Sequence, residues 1–254
     1  MPTVELSIAV TAHSETVVAG PAMRSVEIAI GAAQAEGFQI ERLIGLDTPS
    51  DDCRAFFSQP EYASWRLTEH NLRDQGRGRN ALAEIATGRW IAFVDADDLV
   101  SENWFVIAAS LLAKADQENR KIIVHPEINW VFDARQSVFT KPFQDDPFFI
   151  PHYFYVLNYY DALCIAPREA FKKIPYVFRK MSDGFAYEDW QWNIESMTAG
   201  WSHVVAKNTI IFKRRRDISQ TIESGTRNAV IRAIEPLEID RIGELGRAPG
   251  SDRG

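Results

Sequence analysis

The chain has 254 residues, enough for one large α/β domain or two small ones. Its 28 lysines and arginines against 35 aspartates and glutamates give a formal net charge of −7. This charge argues against general nucleic-acid binding, because neutralising phosphates needs a basic surface. Hydrophobic residues make up 46% of the chain, which excludes wholesale disorder. The two cysteines, Cys53 and Cys164, are too few for a disulfide framework or a four-thiolate zinc site, and they are expected to be buried in a reducing compartment.

The N-terminal residues Met1–Ser7 have no basic start followed by an apolar core, so they do not read as a signal peptide. The longest apolar-looking stretch, Phe148–Ala166, contains polar residues such as Asn158 and Asp161 and is therefore unsuited to a spanning helix. The expected location is the cytoplasm, with peripheral contact at the inner face of a membrane left open as an alternative.

The first half of the chain alternates β-rich runs with helical periods. Strands are predicted at Leu6–Val10, Ile40–Leu46, Trp65–Thr68, Trp90–Val94 and Lys121–Val124. A first helix is predicted from Met23, Val26, Ile30 and Ala33 on one face and ends near Gly37; two more are predicted at Asn80–Ala86 and at Glu102–Ala115, the latter with Ser101 as its N-cap. This alternation predicts a doubly wound, mostly parallel sheet, in which ligands bind beyond the carboxyl ends of the strands.

The second half loses this rhythm. Residues 126–190 are rich in aromatic residues and are predicted to be irregular with short strands. A helix is predicted at Asp189–Thr198 and a strand at Val204–Phe212. A final amphipathic helix is predicted over residues 226–242, before a frayed tail.

Three carboxylates follow the predicted strand Trp90–Val94, at Asp95, Asp97 and Asp98. Carboxylates this close repel one another, and a hard divalent cation such as Mg²⁺ or Mn²⁺ relieves that repulsion. The alternative is a strand-end turn in which Asp98 has only a structural role.

Two further segments carry candidate chemistry. The segment Asp74–Asn80 places glycines and arginines at the start of a helix, an arrangement suited to phosphate, with an ordinary exposed turn as the alternative. Glu188 and Asp189 precede a helix and lie beside Trp190, so either a general base or simple helix N-terminal charge explains them. The five histidines show no zinc-ligand spacing and are expected to be structural.

In their order along the chain, these segments resemble the inverting, nucleotide-sugar-dependent glycosyltransferases of family 2, which have the GT-A fold. The matching segments are Thr11–Glu15, Asp47–Asp52, Gly76 with Arg79 and Asn80, Ala86–Gly88, Asp95–Asp98 and Glu188–Asp189 with Gly200 downstream. The resemblance is strong over residues 5–115 and patchy from 160 to 220. A third metal ligand of that family, often a histidine, has no counterpart in Phe212–Ser219, where the basic run Lys213–Arg216 stands instead.

The resemblance implies a GT-A-like α/β fold with three parts: a nucleotide-sugar-binding half at 1–115, an acceptor-binding half at 116–225, and a C-terminal helix and tail at 226–254. It implies that the donor is bound by Thr11, Ala12, His13, Glu15, Asp47, Arg79, Asp95 and Ala96. It also implies that Asp97 and Asp95 hold Mn²⁺ or Mg²⁺, and that Asp189, with Glu188 beside it, is the catalytic base. Lys213 and Arg215 are candidates for phosphate contact, and Trp190 and Trp192 for the acceptor wall.

The implied reaction moves a sugar from a nucleoside-diphosphate sugar to a hydroxyl of a glycan or lipid-linked acceptor, as in surface-polysaccharide synthesis. Two alternatives stay open. A nucleotidyltransferase would use carboxylate-bound metal on a related fold but release pyrophosphate. A catalytically silent module of the same fold would bind a partner without turnover.

Overall fold

A computed structural model describes residues 3–215 and 229–247 of the chain. In those residues one mixed sheet has the strand order β3-β2-β1-β4-β8-β6-β9-β5, with β7 paired to β6. The strands β1 (Leu6–Ala12), β2 (Ile40–Asp47), β3 (Arg66–His70) and β4 (Trp90–Asp95) are mutually parallel. The predicted doubly wound, mostly parallel α/β fold is confirmed.

The second half extends this sheet with mixed polarity. Its strands are β6 (Ile122–Asp133), β7 (Ser137–Thr140), β8 (Ile165–Pro167) and β9 (Ser202–Arg215), and the short β5 (Leu99–Val100) of the first half pairs with β9. The short strand β8 runs antiparallel to β4 and β6, whereas β6 and β9 are parallel. The predicted strand Lys121–Val124 is therefore the start of a much longer strand.

Helices cover both faces of the sheet. The helices α1 (Ala19–Ala35) and α4 (Trp104–Gln117) pack on one face, where alternate residues of β1 such as Leu6 and Ile8 join their core. The helices α3 (Gln75–Ile85), α5 (Arg168–Lys173) and α6 (Glu188–Thr198) pack on the other face, with Ala9 of β1. Successive residues of β1 point to opposite faces of the sheet, so this strand contributes to both hydrophobic cores.

Several predicted boundaries are corrected. Asp51 and Asp52 belong to a helix that the sequence did not indicate, α2 (Asp51–Phe57), which Ser50 caps by accepting from the Cys53 N–H. The helix α3 begins at Gln75, so the glycine- and arginine-containing segment is its first turns rather than a loop. Ser101 is not a side-chain cap of α4; its hydroxyl accepts from the Ile210 N–H.

The predicted helix over residues 226–242 is wrong for the part that the structure describes. Residues 229–247 contain two short 3-10 helices, at Glu235–Leu237 and Ile242–Glu244. Pro236 explains this, because proline lacks an N–H and clashes with the preceding turn inside a helix. Residues 226–228 and 248–254 lie outside the described residues, as does Arg216 of the basic run. Among the described helices, none combines the length and the apolar character needed to cross a membrane.

Candidate active site

The carboxyl ends of β1, β2 and β4 meet at one edge of the sheet, where β1 and β4 align Thr11 with Asp95. A cavity of about 460 Å³ opens there and is called the first cavity. Seven of the eight predicted donor-binding residues line it, as does Asp97: the seven are Thr11, Ala12, His13, Glu15, Asp47, Asp95 and Ala96. The sequence therefore predicted which strand ends come together.

Asp95 is held by three side-chain donors at this edge. Its Oδ1 accepts from Thr11 Oγ1 at 2.9 Å, from Gln75 Nε2 at 3.0 Å and from Arg79 Nη2 at 2.9 Å. Burial alone would raise the pKa of Asp95, but the charges of Arg79 and Lys213 hold it below its usual value. Asp95 is therefore a fixed anion.

Asp98 has a structural part in the same turn. Its Oδ1 accepts from the Arg214 N–H at 2.8 Å, and its Oδ2 lies 3.7 Å from Lys213 Nζ. Burial raises the pKa of Asp98 to about 7. A carboxyl group that holds its proton this readily is a poor ligand for a hard cation. Asp97 is half-buried and faces the first cavity.

Asp47 organises the chain next to the first cavity. Its carboxylate accepts from three successive backbone N–H groups, those of Leu72 at 2.7 Å, Arg73 at 3.0 Å and Asp74 at 3.0 Å. Asp74 in turn caps α3 by accepting from the Arg77 N–H. A residue predicted only to contact the donor thus also fixes the entry into α3.

The loop after β1 is built on Glu15 and His13. Glu15 Oε2 accepts from the backbone N–H groups of His13 at 2.6 Å and Ser14 at 3.1 Å. His13 Nδ1 lies 2.7 Å from the Asp47 carbonyl oxygen. A carbonyl only accepts, so Nδ1 carries the proton and the ring ties β1 to β2.

A second cavity of about 340 Å³ adjoins the first. The two share four lining residues: Gln75, Asp95, Lys213 and Arg215. The second cavity is also lined by Glu188, Asp189, Trp190 and Arg79. Arg79, predicted as a donor-binding residue, lines the second cavity and not the first.

Glu188 and Asp189 differ in exposure. Glu188 is buried between two arginines, with Oε1 3.6 Å from Arg79 Nη1 and Oε2 3.6 Å from Arg179 Nε. Burial and the neighbouring charge of Asp189 raise the pKa of Glu188 to about 7. Asp189 is half-buried at the cavity surface, and burial raises its pKa too. Of the two carboxylates, Asp189 is the one a ligand can reach.

Gly76 lies where α3 meets α6. A Cβ at this position would stand 3.0 Å from Glu188 Cγ and 3.0 Å from Tyr176 Cβ. The glycine lets α3 approach the Glu188 side chain closely, which puts Arg79 within reach of it. Gly76 is therefore a packing glycine, whereas the sequence had suggested that this segment binds phosphate.

The sequence reasoning missed an ionic group in the wall of the second cavity. Asp161 Oδ2 accepts from Asn129 Nδ2 at 2.6 Å and lies 3.5 Å from Lys141 Nζ and 3.4 Å from Lys213 Nζ. Burial opposes its charge, but the two ammonium groups hold the pKa of Asp161 well below its usual range. The only sequence signal was polar residues inside an aromatic stretch.

Trp192 is wrong as an acceptor-wall residue. Its ring is 1% exposed, stacks on Phe171 at 4.9 Å and donates from Nε1 to the Ile174 carbonyl. Two positions along α6 from Trp190, its side chain points into the core while Trp190 lines the second cavity. Helical geometry separates the two tryptophans.

Among residues 3–215 and 229–247, no group of three or more histidine, cysteine, aspartate or glutamate side chains is arranged to hold a metal ion. The donor set at this edge is two carboxylates, Asp95 and Asp97, beside an open cavity. Two hard oxygen ligands fit a Mg²⁺ or Mn²⁺ ion that takes its remaining ligands from phosphates and water.

Comparison with solved structures places the fold among GT-A-like glycosyltransferases. A structure of TarS from S. aureus, residues 1–349 in complex with UDP-GlcNAc, matches at 14% identity and TM-score 0.59, covering 86% of this chain and 60% of that one. The mannosyltransferase PcManGT from Pyrobaculum calidifontis, in complex with GDP-Man and Mn²⁺, matches at 11% identity and TM-score 0.57, covering 86% and 59%. The chain thus spans about three fifths of these proteins.

Residues 46–157 match the family model for glycosyl transferase family 2. The resemblance stated from the sequence is therefore confirmed over this part of the chain, which is less than half of its length. The match includes Asp47, Arg79 and the Asp95–Asp98 turn and ends before Glu188. No curated protein matches the sequence.

Proposed function

We propose that this chain transfers a glycosyl group from a nucleoside-diphosphate sugar to an acceptor hydroxyl with inversion at the anomeric carbon. The observation that carries the proposal is the junction of the two cavities. The carboxylates Asp95 and Asp97 face the first cavity, Asp189 faces the second, and Asp95 and Lys213 line both. A donor in the first cavity and an acceptor in the second would therefore meet at this junction.

The nucleotide would lie over the ends of β1 and β2, against Thr11–His13 and Asp47, with Asp95 at its sugar ring. Asp97, assisted by Asp95, would hold a divalent cation, whose chemistry there is to offset the charge of the leaving diphosphate. The family commonly uses such cations, and the structural neighbour PcManGT is described with Mn²⁺.

Lys213 and Arg215 would add positive charge at the junction. Lys213 is 8% exposed and lines both cavities. Burial alone would lower the pKa of Lys213, but Asp161, Asp98 and Asp95 raise it, so the side chain stays an ammonium ion. A fixed ammonium group here would face the diphosphate at the moment its bond to the sugar breaks.

Asp189 would act as the general base. Its carboxylate takes the proton of the acceptor hydroxyl, the oxygen bonds to the anomeric carbon, and the electron pair of the breaking C–O bond leaves with the nucleoside diphosphate. The raised pKa of Asp189 suits this task, since a base works best when its pKa lies near the working pH. A glycan or lipid-linked acceptor, as in surface-polysaccharide synthesis, would lie against Trp190 and the tyrosines of the second cavity.

The test is release of nucleoside diphosphate from UDP-GlcNAc and GDP-Man, with and without Mn²⁺, by wild type and by Asp189→Asn. Free nucleoside diphosphate from wild type and its loss in the variant would support the proposal. Release of pyrophosphate would instead favour a nucleotidyltransferase. Binding of both nucleotide sugars without turnover would favour a silent module.

A further inference from the structure

A segment far along the chain is hydrogen-bonded to the loop that leads into α6. Val230 uses both of its backbone groups for this contact: its N–H donates to the Gly184 carbonyl at 2.9 Å, and its carbonyl accepts from the Ala186 N–H at 3.1 Å. Phe185 and Val230 form an isolated parallel bridge. The Val230 side chain is 58% exposed, so the contact depends on the backbone rather than on apolar burial.

Arg232 contacts the same loop at two further points. Its guanidinium donates from Nη2 to the Phe178 carbonyl and stands 5.1 Å from the centre of the Phe185 ring. Phe178 and Phe185 lie near the two ends of the loop 178–186. We call residues 230–232 the clasp.

This loop determines the backbone conformation immediately before Asp189. Tyr187, directly after Ala186, has φ 61°, in the left-handed region that costs a non-glycine residue about 1 kcal/mol or more. Such a conformation persists where neighbouring contacts hold it, and the bond from the Ala186 N–H to Val230 lies one residue away. Glu188 and Asp189 follow immediately.

The loop also connects to the first cavity. The Arg179 N–H donates to Asp74 Oδ2 at 2.9 Å, and Arg179 Nε lies 3.6 Å from Glu188. Asp74 caps α3 and donates from its own N–H to Asp47. One continuous set of contacts therefore runs from the clasp through the loop to the entry of α3.

One residue of the clasp and two residues shortly after it pack behind the second cavity. Ile231, Ile234 and Leu237 join an apolar cluster with Tyr159 and Trp190. Tyr159 and Trp190 both line the second cavity. The same stretch of chain thus supports the wall of the cavity and the loop before its carboxylates.

We propose that the clasp is a positioning element for the base: residues 230–232 hold loop 178–186 and the left-handed Tyr187 so that Asp189 stands at the junction of the two cavities. The inference rests on the proposed function for its catalytic consequence. Its structural part, that the clasp orders the loop, stands independently. Because a small displacement of a catalytic group lowers the rate steeply, loosening the clasp should lower turnover much more than donor affinity.

The sharpest test compares Val230→Pro with Val230→Ala. Proline removes the N–H that donates to Gly184, whereas alanine keeps both backbone bonds and changes only an exposed side chain. Arg232→Ala and Arg232→Lys form a second pair, in which lysine restores a donor to the Phe178 carbonyl. The readouts are amide hydrogen exchange over residues 177–190, calorimetric affinity for UDP-GlcNAc and GDP-Man, and their hydrolysis rates.

We expect Val230→Pro and Arg232→Ala to raise exchange in residues 177–190 and to lower kcat at least tenfold, with donor affinity within twofold of wild type. Val230→Ala should match wild type, and Arg232→Lys should recover part of kcat. Unchanged exchange in both disruptive variants would overturn the clasp, whether or not wild type turns over a nucleotide sugar. A loss of donor affinity as large as the loss of kcat would also overturn the positioning role. Absence of turnover in wild type with increased exchange in the variants would count against the proposed function and leave the clasp supported.

Discussion

Arg79 donates from Nη2 to Oδ1 of Asp95 at 2.9 Å, at the boundary of the two cavities. The same guanidinium places Nη1 3.6 Å from Glu188. The Arg79 side chain is only 3% exposed. Its positive charge thus compensates a carboxylate on each side of the junction. This arrangement couples the end of β4 to the start of α6.

Replacing Arg79 by methionine should destabilise the protein by about 3–5 kcal/mol, because buried Glu188 and half-buried Asp95 lose their shared counter-charge. Chemical denaturation of the variant beside wild type measures this difference. Arg77→Met is the matched control: Arg77 is exposed on the same helix and should cost little. Equal stabilities of the Arg79 and Arg77 variants would contradict the role given to this ion pair.

Asp189→Asn should lower kcat by about 10²–10⁴-fold, the range that general-base assistance contributes. Donor affinity should stay near that of wild type, because Asp189 lines the second cavity and not the first. Rates of nucleoside diphosphate release and calorimetric donor binding together measure the split. Unchanged turnover would remove Asp189 from the mechanism.

The sequence predicted the parts of the site that depend on local pattern. Alternating strands and helices placed Thr11, Asp47 and Asp95 at the ends of neighbouring strands, and the parallel register brings them together. The order of short polar motifs along the chain indicated the resemblance to family 2 glycosyltransferases. These features depend on residues that are close to one another along the chain.

What the sequence did not predict depends on contacts between distant segments. Lys141, Asn129 and Asp161 form an ionic group only because β6, β7 and the aromatic stretch fold together. The clasp joins Val230 to Gly184 across 46 positions. Trp192 was misassigned because adjacency to Asp189 in sequence does not fix which side of a helix faces the cavity.

Asp97→Ala should abolish the dependence of donor binding on divalent cation. We propose Asp97 as the principal protein ligand, since it follows the end of β4 and faces the first cavity. Calorimetric titration with UDP-GlcNAc and GDP-Man, with and without Mn²⁺, gives the measurement. Glu102→Ala, at an exposed position shortly after the turn, is the control. A variant at Asp97 that still binds more tightly with Mn²⁺ would refute the assignment.

Asp47→Ala should weaken donor binding and destabilise the protein together. The variant leaves the N–H groups of Leu72, Arg73 and Asp74 without their acceptor, at a cost of about 1–3 kcal/mol. Asp52→Ala, exposed in the first turn of α2, should cost only a few tenths of a kcal/mol. Thermal unfolding with and without nucleoside diphosphate tests both effects; a loss of binding at unchanged stability would restrict Asp47 to ligand contact.

The buried histidine pair should make the protein sensitive to acid. His203 Nδ1 lies 2.9 Å from His125 Nε2, and its Nε2 lies 3.0 Å from Ser196 Oγ. Both rings are buried, and burial lowers the pKa of His203 to about 3 and that of His125 well below its usual value. In the unfolded chain the histidine pKa values are about 6.5, so below that pH the unfolded chain binds protons that the folded chain does not bind.

The free energy of unfolding should therefore fall as pH drops from about 6.5 toward 3, by about 2 kcal/mol per buried histidine at pH 5. Above about pH 6.5 both states hold these rings neutral, so this contribution is constant there. Urea unfolding at pH 7 and pH 5 measures the loss. His203→Gln should be less stable at pH 7 but lose less between the two values, whereas His152→Gln, at an exposed position, should follow wild type. An equal loss in wild type and His203→Gln would show that this ring does not control the acid response.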